Sequence, residues 1–364
     1  MTIERRNERA VRDTNADILA IFSGALTVQH KKKTASVSAM RRQMIRSAPA
    51  LGLLALASPW AIAQAAYPSR PLKVIVPTQP GGGTDFVARL LADRLGKVLN
   101  QRVLVENRPG AGSLIGTDAA AKSAPDGYTL LTGGLSNIAF NMGLYRNLPY
   151  DSLRDFEPIG LAVAYSYTLM TRKDLPFVSL KDLVAHAKTN PGKLTYASAG
   201  VGTGQHVLAA VLWHLAGVQL LHVPYGGAQA AYQDLLGGRV DIFFDLSPVA
   251  GAQVNAGTVK ALAVSGSTAN PMHPDVPTIT ATGVAALELE SWFGFFAPAR
   301  TPAELLERLR VDLARVIAAP DVMEAFRKAG GRPMNLTVAA TKDLVRRDVQ
   351  RWTRLIREAR INAE

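Results

Sequence analysis

Two glycine-rich segments are the first candidates for binding chemistry. Gly81-Gly-Gly-Thr-Asp85 and Gly200-Val-Gly-Thr203 each follow a short apolar run and precede a stretch with helical spacing of apolar residues. A glycine-rich turn that opens a helix leaves backbone N–H groups unpaired at the positive end of the helix dipole, which suits an anion. Glycine also lets a ligand approach the backbone, and Thr84 and Thr203 offer hydroxyl groups. The alternative is a plain βα turn with a capping threonine.

The composition of these two turns indicates which anion they suit. Neither contains the Gly-Lys-Ser/Thr sequence of a P-loop, and the dinucleotide pattern G-x-G-x-x-G fails at Val87 and at Gln205. Both turns also lack Lys and Arg, so backbone amides and hydroxyl groups would have to neutralise the anion. This favours a carboxylate over a polyphosphate.

Two carboxyl groups and one imidazole near these turns need separate interpretation. Asp85 lies in the first turn of a predicted helix, where the dipole alone favours it. Asp245 ends an apolar strand, at the strand end where α/β proteins bind ligands. It either receives an ammonium or hydroxyl group or caps the helix that begins near Pro248. A competing hypothesis is an enzyme acting on a carboxylate, with Asp85 or Asp245 as the base and His206 as the acid.

Other catalytic groupings are missing from the sequence. It contains no cysteine, which excludes a disulfide scaffold, a cysteine-ligated zinc site and a cysteine nucleophile. The patterns G-x-S-x-G and H-E-x-x-H are absent as well. His206 and His214 are eight residues apart on one predicted helix, too far to share a metal. We therefore predict no catalytic residue, no metal and no cofactor.

The elements that position these residues alternate between strand and helix. Short apolar strands between amphipathic helices are typical of an α/β fold with parallel sheets covered on both faces. The turns after 72–76 and after 194–198 open units with a similar order of elements. This predicts either two related α/β lobes or only the order of elements that all βαβ units share. The predicted strands are 72–76, 102–106, 128–132, 194–198, 220–224, 240–244 and 259–264, and the predicted helices are 84–99, 113–121, 203–216, 228–236, 248–256, 303–319, one ending at Gly330-Gly331, and 341–360.

The N-terminal 66 residues differ from this body. A basic stretch at 40–46 precedes a run at 48–63 that is almost wholly apolar, and small residues follow in the spacing of a cleavage site. This order is typical of a secretory signal, with an uncleaved anchor as the alternative, and the true start is then Met40 or Met44. We therefore predict an N-terminal extension plus export signal over 1–66, with the signal at about 40–66, and a protein exported across the membrane; the family resemblance given below implies the periplasm as its location.

Length, charge and apolar content exclude further classes. The chain has 364 residues, 48% of them apolar, and a net charge of +12. Such apolar content argues against disorder throughout, and the apolar runs are too short and too few for a polytopic membrane protein. Residues 1–66 hold ten Lys and Arg against four Asp and Glu, so half of the positive charge lies there. The remaining excess is mild and nucleic-acid binding is not expected.

Several motifs, in a fixed order, make the body similar to a known family. They are Tyr67-Pro-Ser-Arg-Pro71, Val76-Pro-Thr-Gln-Pro-Gly-Gly-Gly-Thr-Asp85, Val105-Glu-Asn-Arg-Pro-Gly-Ala-Gly112, Pro125-Asp-Gly-Tyr-Thr129, Tyr196-Ala-Ser-Ala-Gly-Val-Gly-Thr203 with His206, Val223-Pro-Tyr-Gly-Gly227, Leu236-Gly-Gly-Arg-Val-Asp241 and Ala297-Pro-Ala-Arg-Thr-Pro302. Together they resemble the Bug family, the periplasmic receptors of tripartite tricarboxylate transporters. Family members often have a small apolar residue where Gln79 stands; Gln79 either alters ligand choice or points outward.

The resemblance implies a fold and a function. The fold is a two-lobed Venus flytrap of two doubly wound sheets, with lobe 1 at 67–165 and 291–364, lobe 2 at 166–290, and hinge strands near 165–171 and 290–296. The function is a non-enzymatic receptor for a small carboxylate (a di- or tricarboxylate, an amino acid or an aromatic acid), monomeric, that serves a membrane permease or a sensor protein. The matching binding positions are Gly82, Gly83, Thr84, Asp85, Ser136, Ser198, Gly202, Thr203, Gly226 and Asp245.

Overall fold

The order of elements follows the predicted alternation of strand and helix. The computed structural model describes residues 67–361 and residue 363, so the predicted export signal lies outside the described residues. The first elements are β1 (Leu72–Val76), α1 (Gly83–Leu99), β2 (Val103–Asn107), α2 (Leu114–Ala121), β3 (Thr129–Gly134), a π-helical turn (Leu135–Phe140), α3 (Asn141–Leu144), β4 (Phe156–Arg172), α4 (Leu180–Thr189), β5 (Thr195–Ser198) and α5 (Gly204–Ala216).

The remaining elements complete a second series and a helical tail. They are β6 (Leu221–Pro224), α6 (Ala228–Leu236), β7 (Ile242–Leu246), α7 (Ser247–Asn255), β8 (Val259–Val264), a 3₁₀ turn (Thr280–Thr282), β9 (Glu290–Pro298), α8 (Ala303–Ala318), α9 (Pro320–Lys328), β10 (Gly331–Pro333) and α10 (Val338–Glu358). Within the described residues, no helix is both long enough and apolar enough to cross a membrane.

The described strands pair in one continuous order, β2-β1-β3-β9-β4-β7-β5-β6, and β8 and β10 also pair with β4. The predicted parallel pairing is confirmed where β1 lies between β2 and β3 and where β5 lies between β6 and β7. The parallel pairing does not extend to the whole sheet, because β4 pairs antiparallel with β7, β8, β9 and β10, and β3 pairs antiparallel with β9. A continuous apolar run indicates that a strand is buried, but it does not indicate whether the strand runs parallel or antiparallel to its neighbours.

The long strand β4 joins two groups of strands. Its first part, up to Ser166, pairs with β9, and its last part, from Tyr167, pairs with β7 and β8. We call β1, β2, β3, β9 and β10 the first strand set and β5 to β8 the second. The β4–β9 pairing is close, because a Cβ on Gly294 would lie 2.0 Å from the carbonyl oxygen of Gly160. Glycine at Gly294 therefore allows the two strands to pair.

The apolar core extends through both strand sets. One large cluster includes β1, the buried face of α1 and the tail helices, and it continues into α5 of the second set. A smaller cluster lies between α6 and the second strand set, around Tyr232 and Phe243. Burial of these side chains fixes each helix against its sheet. The turns at the carboxyl ends of the strands are thereby held in place.

Candidate ligand-binding site

A cavity of about 660 Å³ lies at the carboxyl ends of parallel strands from both sets. The turns after β1, β2 and β3 line it on one side, and the turns after β5, β6 and β7 line it on the other. Tyr167 of β4 and Phe293 of β9 complete the lining. This is the position where open α/β sheets bind ligands, because helix N-termini and free backbone groups meet there.

Five of the described helices begin at this cavity without a side-chain cap. Their N-cap residues all line the cavity, and they are Gly82 of α1, Ser113 of α2, Thr203 of α5, Gly227 of α6 and Leu246 of α7. Of the described helices that begin elsewhere, α4 and α10 are capped by Ser179 and Thr337, whereas α3, α8 and α9 also lack a side-chain cap. Uncapped N-termini present backbone N–H groups and positive dipole ends. The arrangement suits an anion.

The charge of the lining supports a backbone-based site. Among the described residues that line the cavity, none is Lys, Arg or His, and Asp245 is the one charged residue. An anion bound here is therefore neutralised by peptide dipoles and hydroxyl groups. Thr84 and Ser136 line the cavity and carry such hydroxyl groups.

Asp85 is placed away from the cavity lining, as a brace for the first glycine-rich turn. Its Oδ2 accepts hydrogen bonds from the Gly81 amide at 3.0 Å and from Arg89 Nε at 2.9 Å, and its Oδ1 accepts one from Asn107 Nδ2 at 2.9 Å. Burial raises the pKa of this carboxyl, but the hydrogen bonds from Arg89, Gly81 and Asn107 outweigh burial and lower its pKa overall. Asp85 is thus ionised, and both of its carboxylate oxygens accept hydrogen bonds.

Ser198 supports the second glycine-rich turn from behind. It is fully buried, its Oγ lies 2.7 Å from His222 Nε2, and it accepts a hydrogen bond from the Gly200 amide at 3.2 Å. His222 stacks on His206 with ring centroids 4.2 Å apart, and His206 Nδ1 accepts a hydrogen bond from the Gly202 amide at 3.3 Å. This chain of contacts shapes the turn that precedes α5.

The two stacked histidines are neutral at pH 7. Burial lowers the pKa of each to about 4, and for His206 the neighbouring His222 adds to the effect. The Ser198–His222 pair is superficially like a nucleophile and its base. Ser198, however, is buried and lies outside the cavity lining, so the pair has a structural role.

Seven of the ten predicted binding residues line the cavity and three do not. The seven are Gly82, Gly83, Thr84, Ser136, Thr203, Gly226 and Asp245. Asp85, Ser198 and Gly202 lie behind the lining and hold the two turns. Thr203 lines the cavity, but its hydroxyl donates to the Gly200 carbonyl oxygen at 2.7 Å. That hydroxyl is already engaged within the turn.

Several lining residues were not predicted from the sequence. The β2–α2 turn contributes Pro109 to Ser113, and aromatic side chains come from Tyr145, Tyr167, Tyr225 and Phe293. The motif ending at Gly112 was the available signal for the first group, but the aromatic residues carry no local signal. Gln79 lines the cavity and lies beside Gly227, where a Cβ would be 3.6 Å from Gln79 Cγ.

Only one of the two carboxylate oxygens of Asp245 accepts hydrogen bonds from the described residues. Its Oδ1 accepts hydrogen bonds from Gln205 Nε2 at 3.0 Å and from the Leu246 amide at 2.9 Å. Its Oδ2 is buried and, among the described residues, has no hydrogen-bond partner within 3.5 Å. Burial raises the pKa of the carboxyl to about 6, while Leu246, Gln205 and the Tyr232 hydroxyl act in the opposite direction. Burial thus disfavours the charged form of Asp245, and its Oδ2 is shielded from solvent.

Sequence comparison relates this chain to a family of receptors. A family model described as "Tripartite tricarboxylate transporter family receptor" (TctC) matches residues 87–361. A Pseudomonas protein, "UPF0065 protein in tcbD-tcbE intergenic region", is 40% identical over 299 residues, which is 82% of this chain and 89% of that protein.

Solved structures agree with this relationship. The periplasmic binding protein BugD is 35% identical, with a TM-score of 0.77 and coverage of 81% of this chain and 99% of BugD. Two proteins from Rhodopseudomonas palustris are each 31% identical to this chain and cover 80% of it. Rpa4515, solved with adipate, has a TM-score of 0.77 and is covered over 98% of its own length. MatC, solved with bound malate, has a TM-score of 0.75 and is covered over its whole length.

The fold is therefore the mixed α/β fold of a periplasmic solute-binding protein. The chain belongs to the TctC family of tripartite tricarboxylate transporter receptors. The resemblance found in its motifs is confirmed. So is the prediction of a non-enzymatic receptor, since this family consists of binding proteins.

Proposed function

We propose that this receptor captures a small carboxylate in the described cavity and that it does so after export to the periplasm. One observation carries the proposal: the uncapped N-termini of five described helices meet at a cavity whose described lining has no Lys, Arg or His. Relatives solved with adipate and with malate support the same ligand class. Backbone N–H groups fixed in a closed site bind a carboxylate strongly because they need no reorganisation.

The proposed carboxylate site lies between the turns that open α1 and α5. Gly82, Gly83 and Thr84 provide one side of it, and Thr203 with its neighbouring amides provides the other. Ser136 and Gly226 add polar groups at the edge. Asp85, Ser198 and Gly202 keep the two turns in position and do not touch the ligand. A Cβ at Gly83 would lie 2.7 Å from Leu246 Cδ1, so alanine there requires the Leu246 side chain to shift.

We further propose that the two strand sets are two lobes that close on the ligand. Lobe 1 comprises 67–165 and 291–364, lobe 2 comprises 166–290, and β4 and β9 connect them. The change of partners along β4 at Ser166–Tyr167 supports this boundary. Contact between the turns of the two sets supports a closed arrangement. Closure removes water and strengthens each hydrogen bond to the ligand.

Export and delivery complete the proposed function. The segment at about 40–66 acts as the export signal. Its basic stretch, followed by an apolar stretch, has the order that is typical of such signals. The monomeric receptor then presents its carboxylate to a membrane permease or to a sensor protein. Membership of a transporter receptor family supports the first of these partners.

Calorimetry and thermal melting of the purified protein test the proposal. Malate, adipate and a panel of other carboxylates serve as ligands, with ATP and NAD as controls. A ligand at 100 times its Kd adds about 2.7 kcal/mol to the free energy of unfolding, which is several degrees in Tm. Thr84→Val should weaken binding about tenfold through loss of one hydrogen bond to a charged group. Stabilisation by nucleotides alone would contradict the proposal.

A further inference from the structure

The first glycine-rich turn runs from the exposed edge of the cavity to its buried end. Gln79, Pro80 and Gly81 are exposed, Gly82 is half-buried and Gly83 is buried, and all five residues line the cavity. We call the exposed part of this lining the rim. An elongated ligand that places one carboxylate at Gly82 and Gly83 therefore has its other end towards the rim, where Gln79 lies.

The second strand set meets this turn at both of its ends. At the buried end, a Cβ on Gly83 would lie 2.7 Å from Cδ1 of Leu246, which is buried. At the rim, a Cβ on Gly227 would lie 3.6 Å from Gln79 Cγ, and Gly227 is half-buried. The side chain of Gln79 thus reaches from the first strand set to the second where the cavity opens to solvent.

The side-chain amide of Gln79 is accessible and unpaired. Gln79 is exposed, and no group in the described part of the chain hydrogen-bonds to its amide. Two other lining amides are already engaged, since Gln205 donates to Asp245 Oδ1 at 3.0 Å and Asn137 accepts from the Gly134 amide at 2.9 Å. The amide of Gln79 is therefore able to turn its NH₂ group towards a ligand.

The surroundings of this amide favour a negatively charged partner. Helix α6 begins at Gly227, beside Gln79, and has no side-chain cap. The positive end of its dipole therefore lies at the rim, where it attracts an anion and repels an ammonium group. Among the described lining residues, no Lys, Arg or His competes with Gln79 for such an anion.

We infer that Gln79 is a specificity-determining residue whose amide NH₂ donates a hydrogen bond to a second carboxylate at the far end of the ligand. This inference rests on the proposed function of carboxylate capture and narrows the ligand class to dicarboxylic acids. The first carboxylate binds at the turns that open α1 and α5, and the second binds at the rim. Gln79 then contacts the ligand and the second strand set together.

Matched acids on the purified, unmodified protein provide the first test. Butyrate and succinate, pentanoate and glutarate, and hexanoate and adipate are pairs of equal chain length that differ in one terminal carboxylate. In at least one pair we expect the dicarboxylate to bind about tenfold or more tightly in calorimetry, which corresponds to one hydrogen bond to a charged group. Equal or tighter binding of the monocarboxylate in every pair overturns the inference and leaves carboxylate capture intact. Failure of every acid to bind overturns both proposals.

Two variants of Gln79 provide the second test. Gln79→Leu removes the donor at similar size, so the dicarboxylate should lose about tenfold in affinity while its monocarboxylate partner changes little. Gln79→Glu puts a carboxylate in place of the donor, so the dicarboxylate should lose more affinity than in Gln79→Leu. The side chain is exposed, and unchanged Tm values without ligand should show that both variants fold. Retention of the dicarboxylate preference in Gln79→Leu overturns the inference.

A matched control comes from Gln229, which lies in the first turn of α6. Gln229 is also exposed, lines the cavity and has an amide without a hydrogen-bond partner among the described residues. It does not belong to the turn that holds the first carboxylate, so Gln229→Leu should keep the dicarboxylate preference. A loss of preference in Gln229→Leu as great as in Gln79→Leu overturns the assignment to Gln79.

Discussion

Gly112, which lines the cavity, meets Gly202 backbone to backbone. A Cβ on Gly112 would lie 3.1 Å from the Cα of Gly202 and 2.8 Å from the carbonyl oxygen of Val201. Gly112 belongs to the turn before α2 and Gly202 to the turn before α5, so the contact joins the two strand sets. Both residues have positive φ, +57° and +83°. Glycine is therefore favoured on each side by the close backbone approach and by the backbone conformation.

The variant Gly112→Ala should separate these two turns and weaken ligand binding. The added Cβ forces a shift of the Val201 backbone, and we expect carboxylate affinity to fall by tenfold or more, measured by calorimetry. Gly217→Ala is the matched control, because its φ is +63° and a Cβ there meets nothing within 4 Å. The control should lose about 1 kcal/mol of stability at unchanged affinity. Equal affinity loss in both variants would assign the effect to backbone strain.

The variant Asp85→Asn should destabilise the protein in a pH-dependent manner. It removes a carboxylate that accepts hydrogen bonds from Gly81, Arg89 and Asn107, for an expected loss of about 1–3 kcal/mol at pH 7. The folded-state pKa of Asp85 lies below its ordinary value of 3.8, so its stabilisation is present above that pH. The difference between the two proteins should shrink as pH falls below about 4, by urea unfolding. A pH-independent difference would contradict the role of charge.

The stacked histidines should reduce stability in acid. The pKa of His206 is about 4 in the folded protein against an ordinary value of 6.5. Below pH 6.5 the unfolded chain binds a proton that the folded protein refuses, so stability falls as pH decreases towards 4. His206→Gln removes the imidazole that takes up this proton. The difference in the free energy of unfolding between variant and parent should therefore change by about 1–3 kcal/mol from pH 7.5 to pH 4.5.

The exposed His214 on the same helix provides the control for that experiment. His214→Gln removes an imidazole without touching the stack beneath the second turn. If both variants show the same pH profile as the parent protein, the buried pair does not govern acid stability. Urea unfolding at several pH values is the measurement in each case.

Salt should affect ligand affinity only weakly. Screening acts on exposed charges, whereas the described cavity lining offers a carboxylate peptide dipoles and hydroxyl groups but no Lys, Arg or His. We expect the Kd for the tightest-binding acid of the panel to change by less than about threefold between 50 mM and 500 mM NaCl. A tenfold loss in calorimetry would indicate that a cationic side chain holds the ligand.

Much of this site follows from local sequence. The apolar strands, the helices after them and the turns at Gly81–Thr84 and Gly200–Thr203 are encoded by residues close together in the chain. The expected spans agree with the observed ones within a few residues. Strand β4 and helix α4 are exceptions, because the resemblance implied a hinge strand only near 165–171 where the strand runs over Phe156–Arg172, and no helix was predicted at Leu180–Thr189.

The sequence alone thus determined an α/β chain with two glycine-rich turns that open helices, no cysteine chemistry and Asp245 at the end of a strand. Only the tertiary structure decided that Asp85 and Ser198 face inward as supports, and that Asp245 is buried and held by Gln205 and the Leu246 amide. It also brought Gly112 to Gly202 and placed Tyr167 and Phe293 in the lining. The physical reason is that helix and turn signals are local, whereas the environment of a side chain is set by residues distant in sequence that pack against it.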